Sequence, residues 1–331
     1  MKKNLKVLVT GGAGYVGSAL VPALLARGHR VRVLDLYMFG DDALDAVRYN
    51  PDLEQIEGDV RDRDTGDRAV DRCDAVIHLA SISNDPSFAF DPALGKSINY
   101  DCFAALVDSA QKADVRRFIY TSSSSVYGVN DEPNVTEDLP LAPLTEYAKY
   151  KAKCEDLLLQ MRKPGMAVLI LRPAMVCGYS PRLRLDLSVN ILTHHAVKNR
   201  KITVSGGDQK QPNIHIADLC DLYVQSLEWP VDKIDGQIFN AGWDNLTLDQ
   251  IAQMVQRIVG PDVAIERTPA GDKQSYHISS EKIRREVGFA PTHNIEDAVR
   301  DLVAAFANRK IPNPGDDRYY NVKTLQNLNM K

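Results

Sequence analysis

Apolar residues in the first half of the chain follow two alternating rhythms. Lys6-Val7-Leu8-Val9-Thr10 is a short, nearly continuous apolar run, the pattern of a strand buried on both faces. From Ser18 to Arg27 the apolar positions recur at helical spacing, and Gly28 supplies a stop signal. Val31-Arg32-Val33-Leu34-Asp35 reads as a second strand, with further candidates at 54–57, 75–79, 117–122 and 167–171. Patterns long enough for crossover helices lie between them, notably at 98–112 and 145–161. This alternation predicts an α/β fold: a doubly wound parallel sheet with helices on both faces. After Arg172-Pro173 the rhythm becomes mixed, with a loop-rich stretch at 176–187 and helices near 189–198, 247–259, 280–287 and 295–307. The chain therefore divides into residues 1–172 and a smaller mixed α/β C-terminal part, 173–331, partly interleaved with the first. The tail beyond Pro314-Gly315, carrying Arg318-Tyr319-Tyr320, is expected to pack along the surface.

Composition narrows what such a fold could serve. The 40 basic and 44 acidic residues leave a net charge of −4 with no long like-charge run, which argues against nucleic-acid or polybasic membrane partners. No apolar run approaches the roughly 18 residues of a membrane span. Met1-Lys2-Lys3-Asn4 leads into too short an apolar stretch for a secretory signal, so a cytoplasmic protein is expected. Cys73, Cys102, Cys154, Cys177 and Cys220 are scattered without a Cys-x-x-Cys pair, implying neither a disulfide framework nor a metal site.

The first candidate chemistry follows the first strand. Gly12-Ala13-Gly14-Tyr15-Val16-Gly17, preceded by Gly11, matches G-x-G-x-x-G between a strand and a helix. A tight turn, close backbone approach to a pyrophosphate and close helix packing all require glycine there. Gly11, Gly14, Tyr15 and Val16 would then meet the phosphates at the helix N-terminus. Asp35 closes the next strand, 18 residues past Gly17, where a carboxylate would accept hydrogen bonds from ribose hydroxyls. With a carboxylate there and no arginine beside it in sequence, NAD is favoured over NADP. Asp59 and Val60 follow the third strand, where an adenine ring would lie. Leu79 and Ala80 end the fourth, and His78 reads as a structural histidine.

The second is Tyr147 and Lys151, four apart on one helix face. A phenol with pKa near 10 must act near pH 7, a gap of roughly 4 kcal/mol that a neighbouring ammonium helps to close. Tyr319 and Lys323 repeat the spacing in the tail by chance; context separates the two pairs. Upstream, the strand at 117–122 runs into Ser122-Ser123-Ser124-Ser125-Val126-Tyr127-Gly128, putting hydroxyls at the edge of a cofactor crevice.

Taken together with His78-Leu79-Ala80 and Asn99, these motifs resemble the extended short-chain dehydrogenase/reductase family, in particular its nucleotide-sugar epimerases and dehydratases, over about the whole chain. The resemblance implies a Rossmann fold and makes Tyr147 the base, Lys151 its electrostatic partner and ribose ligand, and Ser123 the catalytic hydroxyl. Ser122 and Ser124 stay in contention for that role, and Ser122, Asn99, Tyr147 and Lys151 are also placed by the resemblance among the cofactor contacts. Asn99 would support the site near the lysine, or simply cap a helix. A homodimer through the helices at 98–112 and 145–161 is expected on the same ground.

The residues after Ser123 bear on which reaction is run. The family's sugar 4,6-dehydratases need an Asp-Glu pair there, and this chain has Ser124-Ser125, as 4-epimerases do. Met175 and Gln211 depart from an Asn and an Arg common in such epimerases. Ser180-Pro181-Arg182-Leu183-Arg184-Leu185-Asp186-Leu187 resembles instead a segment of bacterial sugar-modifying members, including nucleotide-heptose 4-dehydrogenases. Arg182 and Arg184 are the candidate ligands for a substrate diphosphate, because guanidinium matches phosphate in bidentate fashion. Ser124, Arg267 and Lys273 are further substrate-side candidates. The expected activity is an NAD-dependent 4-epimerase of a nucleotide-diphosphate sugar. The alternatives are a 4-dehydrogenase or 4-ketoreductase with the same catalytic groups, and a non-catalytic NAD-binding scaffold.

Overall fold

The computed structural model describes residues 4–130, 132, 134–269 and 277–328. Twelve strands are present among them: β1 (Lys6–Thr10), β2 (Arg30–Asp35), β3 (Leu53–Glu57), β4 (Ala75–His78), β5 (Arg117–Thr121), β6 (Ala167–Pro173), β7 (Met175–Cys177), β8 (Lys201–Ser205), β9 (Lys210–His215), β10 (Gln237–Ala241), β11 (Asp244–Thr247) and β12 (Ala264–Thr268). Seven form the central sheet in the order β10-β6-β5-β4-β1-β2-β3. Every pair in it is parallel. Hence the apolar runs are continuous rather than alternating: all seven residues of β6 are buried. Successive residues face opposite sides, so Val7, Val9, Val31 and Val33 enter one core while Leu8, Leu34, Val76 and Phe118 enter the other.

Elements from beyond residue 173 join and pack on this sheet. Strand β10 extends it beside β6, and the helix Ile216–Ser226 packs on Gly17–Ala26. Small sheets β11-β9-β7 and β12-β8 surround a third core with Ile202, Ile251 and Val299. Their short strands carried too little periodicity to be read from sequence.

The helix expected at 98–112 is interrupted. A short helix Pro92–Lys96 leads into a π-turn at Ser97–Asp101, and regular helix resumes at Phe103–Lys112. Periodicity cannot register this irregularity, which falls beside Asn99, a residue whose side chain holds a neighbouring loop. Among the described residues no helix is long and apolar enough to cross a membrane.

Candidate active site

β1 and β4 are neighbours from which the chain proceeds in opposite directions, and a crevice opens at their carboxyl ends. Thr10 pairs with His78, and His78 with Tyr120, so the loops leaving β1, β4 and β5 start at one edge. The glycine turn is too close-packed for side chains. A Cβ on Gly11 would lie 2.7 Å from the Ala80 nitrogen, and one on Gly17 would run into the Gly11 carbonyl. No side chain caps the helix that follows; the Ser18 and Ala19 N–H groups donate to the Gly14 and Val16 carbonyls, and the helix dipole makes this N-terminus favourable to an anion. Asp35 accepts 2.9 Å hydrogen bonds from the N–H groups of Ala13 and Tyr37, one on each carboxylate oxygen. Burial pushes its carboxyl up from the ordinary value, and those N–H groups pull it back.

Gly11, Gly14, Tyr15, Val16, Val60, Leu79 and Ala80 line the crevice. Asp59 does not; its carboxylate is turned to Arg61, 2.5 Å away. Asn99 lies behind the wall and brackets the backbone of Ile82, accepting from its N–H at 2.8 Å and donating to its carbonyl at 3.0 Å. His78 is buried on the Thr10 hydroxyl at 2.7 Å, and burial pushes it down to about 3, which keeps it neutral and structural.

The candidate catalytic groups stand on the opposite wall. Thr145 caps the helix Glu146–Gln160, placing Tyr147 in its first turn and Lys151 one turn on. The Lys151 ammonium lies 5.7 Å from the Tyr147 ring centroid and donates to the Thr121 carbonyl at 2.8 Å. Full burial pushes Lys151 down to about 8, while Cys154 and Glu155 pull it up. The Ser123 hydroxyl accepts from the Ser125 N–H and hydroxyl, at 3.2 and 2.8 Å, bonds that leave its own proton uncommitted. Ser122 instead donates to Glu155. Ser124 lines the crevice as a buried residue.

Glu155 escaped the sequence reading, although it continues the four-residue spacing from Tyr147 through Lys151. It pairs with Arg172 at 2.6 Å, their side chains 2% and 3% exposed. Arg172 also donates to the Tyr127 hydroxyl at 2.7 Å, which donates to Asn240 at 2.8 Å.

The segment at 178–186 lies over the glycine turn. Tyr15 donates to the Gly178 carbonyl at 2.7 Å and accepts from Asn190 at 3.1 Å. Arg184 meets Asp186 at 2.9 Å and Ser83 at 3.1 Å. Arg182 stacks on Phe39 at 3.8 Å, donates to Asn321 and pulls on the Asp35 carboxyl electrostatically. Asp35 thus has an arginine neighbour in space that its sequence surroundings lack. Arg267 stands apart, exposed on β12 and paired with Asp249 at 3.0 Å. Lys273, with Gly271 and Asp272, lies outside the described residues. The tail does more than pack along the surface: Asn321 is buried and lines the crevice. Neither Phe39 nor Asn321 carried any signal in sequence.

Residues 7–242 match the NAD dependent epimerase/dehydratase family. The chain belongs to that family. It is an NAD-dependent enzyme, and the close-packed glycine turn, the uncapped helix and the oriented Asp35 fit the dinucleotide. A UDP-glucose 4-epimerase of Lactobacillus helveticus is 28% identical over 321 residues, covering 89% of this chain and 95% of the relative. A dTDP-glucose 4,6-dehydratase of Streptomyces niveus is 26% identical over 328 residues, covering 92% and 94%. Among solved structures, the UDP-glucuronic acid 4-epimerase of Bacillus cereus, in complex with UDP-glucuronic acid and NAD, superposes with a TM-score of 0.83 at 25% identity. That match covers 92% of this chain and 99% of the other. The dTDP-glucose 4,6-dehydratase from Streptomyces venezuelae, with NAD and TYD bound, gives 0.83 at 25%, covering 92% and 98%.

Proposed function

We propose that this enzyme is a cytoplasmic, homodimeric nucleotide-sugar 4-epimerase of carbohydrate biosynthesis. The observation that carries the reaction class is the wall beside Tyr147. Ser124 and Ser125 line the crevice where a 4,6-dehydratase of the family needs an Asp-Glu pair. With hydroxyls in place of carboxylates, the site can move a proton at C4 but has no acid–base pair there to eliminate water across C5 and C6.

NAD, held by the glycine turn and Asp35, would supply a reversible hydride acceptor for C4. Tyr147 takes the C4 hydroxyl proton, and the Lys151 ammonium favours the phenolate by its charge. Ser123 donates its uncommitted proton to the same oxygen and orients it. When the sugar turns over, Tyr147 gives the proton back as the new hydroxyl forms on the other face. Arg184 and Ser124 are the substrate-side contacts supported by their place in the crevice. Packing of Phe103–Lys112 against Glu146–Gln160 makes the pair available as one dimer face, which size-exclusion chromatography tests.

The deciding experiment incubates purified enzyme with UDP-glucose, UDP-galactose, UDP-glucuronic acid and dTDP-glucose, following C4 configuration by NMR and NADH by absorbance. An epimerase interconverts a pair with no net NADH. Tyr147→Phe lowers turnover by roughly 10²–10⁴-fold while keeping NAD bound. NADH accumulating in step with product would replace the proposal with a 4-dehydrogenase.

A further inference from the structure

The backbone around Arg182 lies across the start of the helix Gly17–Ala26. The Arg182 N–H donates to the Ser18 hydroxyl at 3.1 Å, and that hydroxyl shares a 2.6 Å bond with Ser180, which donates to the Tyr15 carbonyl at 2.7 Å. Arg182 is therefore held beside the glycine turn and the N-terminal end of that helix. The residue is only 4% exposed. It lies on Phe39 and donates to the Asn321 side-chain oxygen, but its Nε has no partner. Among the described residues no carboxylate is within ion-pairing distance of it, whereas Arg184 has Asp186. A guanidinium keeps its charge in proteins, and a buried charge without a counter-ion is costly. Burial and the nearby Arg184 push its pKa down to about 9, against the weaker upward pull of Asp186 and Asp35.

We infer that Arg182 binds the pyrophosphate of NAD and that the C-terminal tail holds it in place through Asn321. This assigns Arg182 to the cofactor, where the sequence alone grouped it with Arg184 at the substrate diphosphate. Two backbone hydrogen bonds fix the tail in this position. The Leu185 N–H donates to the Tyr319 carbonyl at 2.9 Å, and the Asn321 N–H donates to Asp186 at 3.0 Å. Asn321 thus joins both arginine neighbourhoods, turning its side chain to Arg182 and its backbone to the partner of Arg184.

The test measures calorimetric affinities of cofactor-stripped wild type, Arg182→Leu, Arg182→Lys and Asn321→Ala for NAD, ADP-ribose, adenosine and UDP. Arg182→Leu should weaken NAD and ADP-ribose roughly 10- to 100-fold, the usual worth of a charge-assisted hydrogen bond, and leave adenosine and UDP within about twofold. Arg182→Lys should keep part of the affinity, and Asn321→Ala should lose roughly 3- to 10-fold on the same two ligands. Adenosine falling as far as ADP-ribose would overturn the inference, since only the ring contacts would then depend on Arg182. So would a loss of UDP affinity with NAD unchanged. Circular dichroism checks folding, and if Arg182→Leu does not fold, the other two variants decide.

Discussion

The buried pair Glu155–Arg172 offers the sharpest test of how the wall beside Tyr147 is held. Glu155→Leu removes the acceptor of three Arg172 contacts, Nε at 3.0 and 3.2 Å and the terminal nitrogen at 2.6 Å, and leaves the guanidinium buried with only the Tyr127 hydroxyl. Removing one partner of a buried pair costs about 3–5 kcal/mol, and the Ser122 hydroxyl, which donates to Glu155, adds about 1 kcal/mol. Arg172→Met leaves the carboxylate buried with Ser122 alone, and a similar loss is expected. Replacing both by apolar residues removes the uncompensated charge as well as the attraction. The double variant should therefore cost less than the sum of the singles by at least about 2 kcal/mol. Urea unfolding of cofactor-stripped protein, followed by tryptophan fluorescence and compared at constant slope, measures all four corners. Stripping matters because bound NAD would add its own stabilisation. Additive losses, or singles below about 1 kcal/mol, would refute the reasoning and reduce the pair to the worth of an exposed salt bridge.

Lys151 gives a pH signature of known sign. Its folded pKa of about 8 lies below the ordinary lysine value, so between pH 8 and 10 the unfolded chain holds a proton that the folded one has released. Stability of the NAD-free protein should rise by about 2 kcal/mol from pH 7 to pH 10, and Lys151→Met should lack that rise. Equal slopes in urea titrations of the two proteins would show the lysine to be better solvated than its burial implies. Gly17→Ala drives a methyl into the Gly11 carbonyl and to 2.5 Å from the Gly12 Cα, both unyielding backbone. The expected loss is about 1–3 kcal/mol with a matching drop in retained dinucleotide, read by thermal melting and by nucleotide released on denaturation. Unchanged values in both would mean the helix can slide away from the turn at no cost.

The half of the crevice around the glycine turn was legible because its motifs are local. Gly11 to Gly17, Asp35, Leu79 and Ala80 each sit at a strand's carboxyl end, and parallel pairing brings such ends to one edge. Tyr147 and Lys151 needed only helical spacing. Asp59 shows the limit of position alone, since its strand end is correct but its carboxylate is taken by Arg61. Glu155 was within reach of the same spacing; its meaning appears only once Arg172, on another strand, is seen against it.

What the sequence determined by itself was the alternation that builds a doubly wound sheet, the glycine turn, and the placing of Tyr147 and Lys151 on one helix face. These depend on neighbours within one βα unit, where periodicity and backbone stereochemistry act. Tertiary structure alone decided which residues close the crevice. Phe39 from the loop after β2, Arg182 from the segment after β7 and Asn321 from the tail meet there across long stretches of chain. It also set aside Arg267 and broke the helix at Asn99. A buried cation acquires its role from the charges packed around it, and those come from parts of the chain that no spacing rule connects.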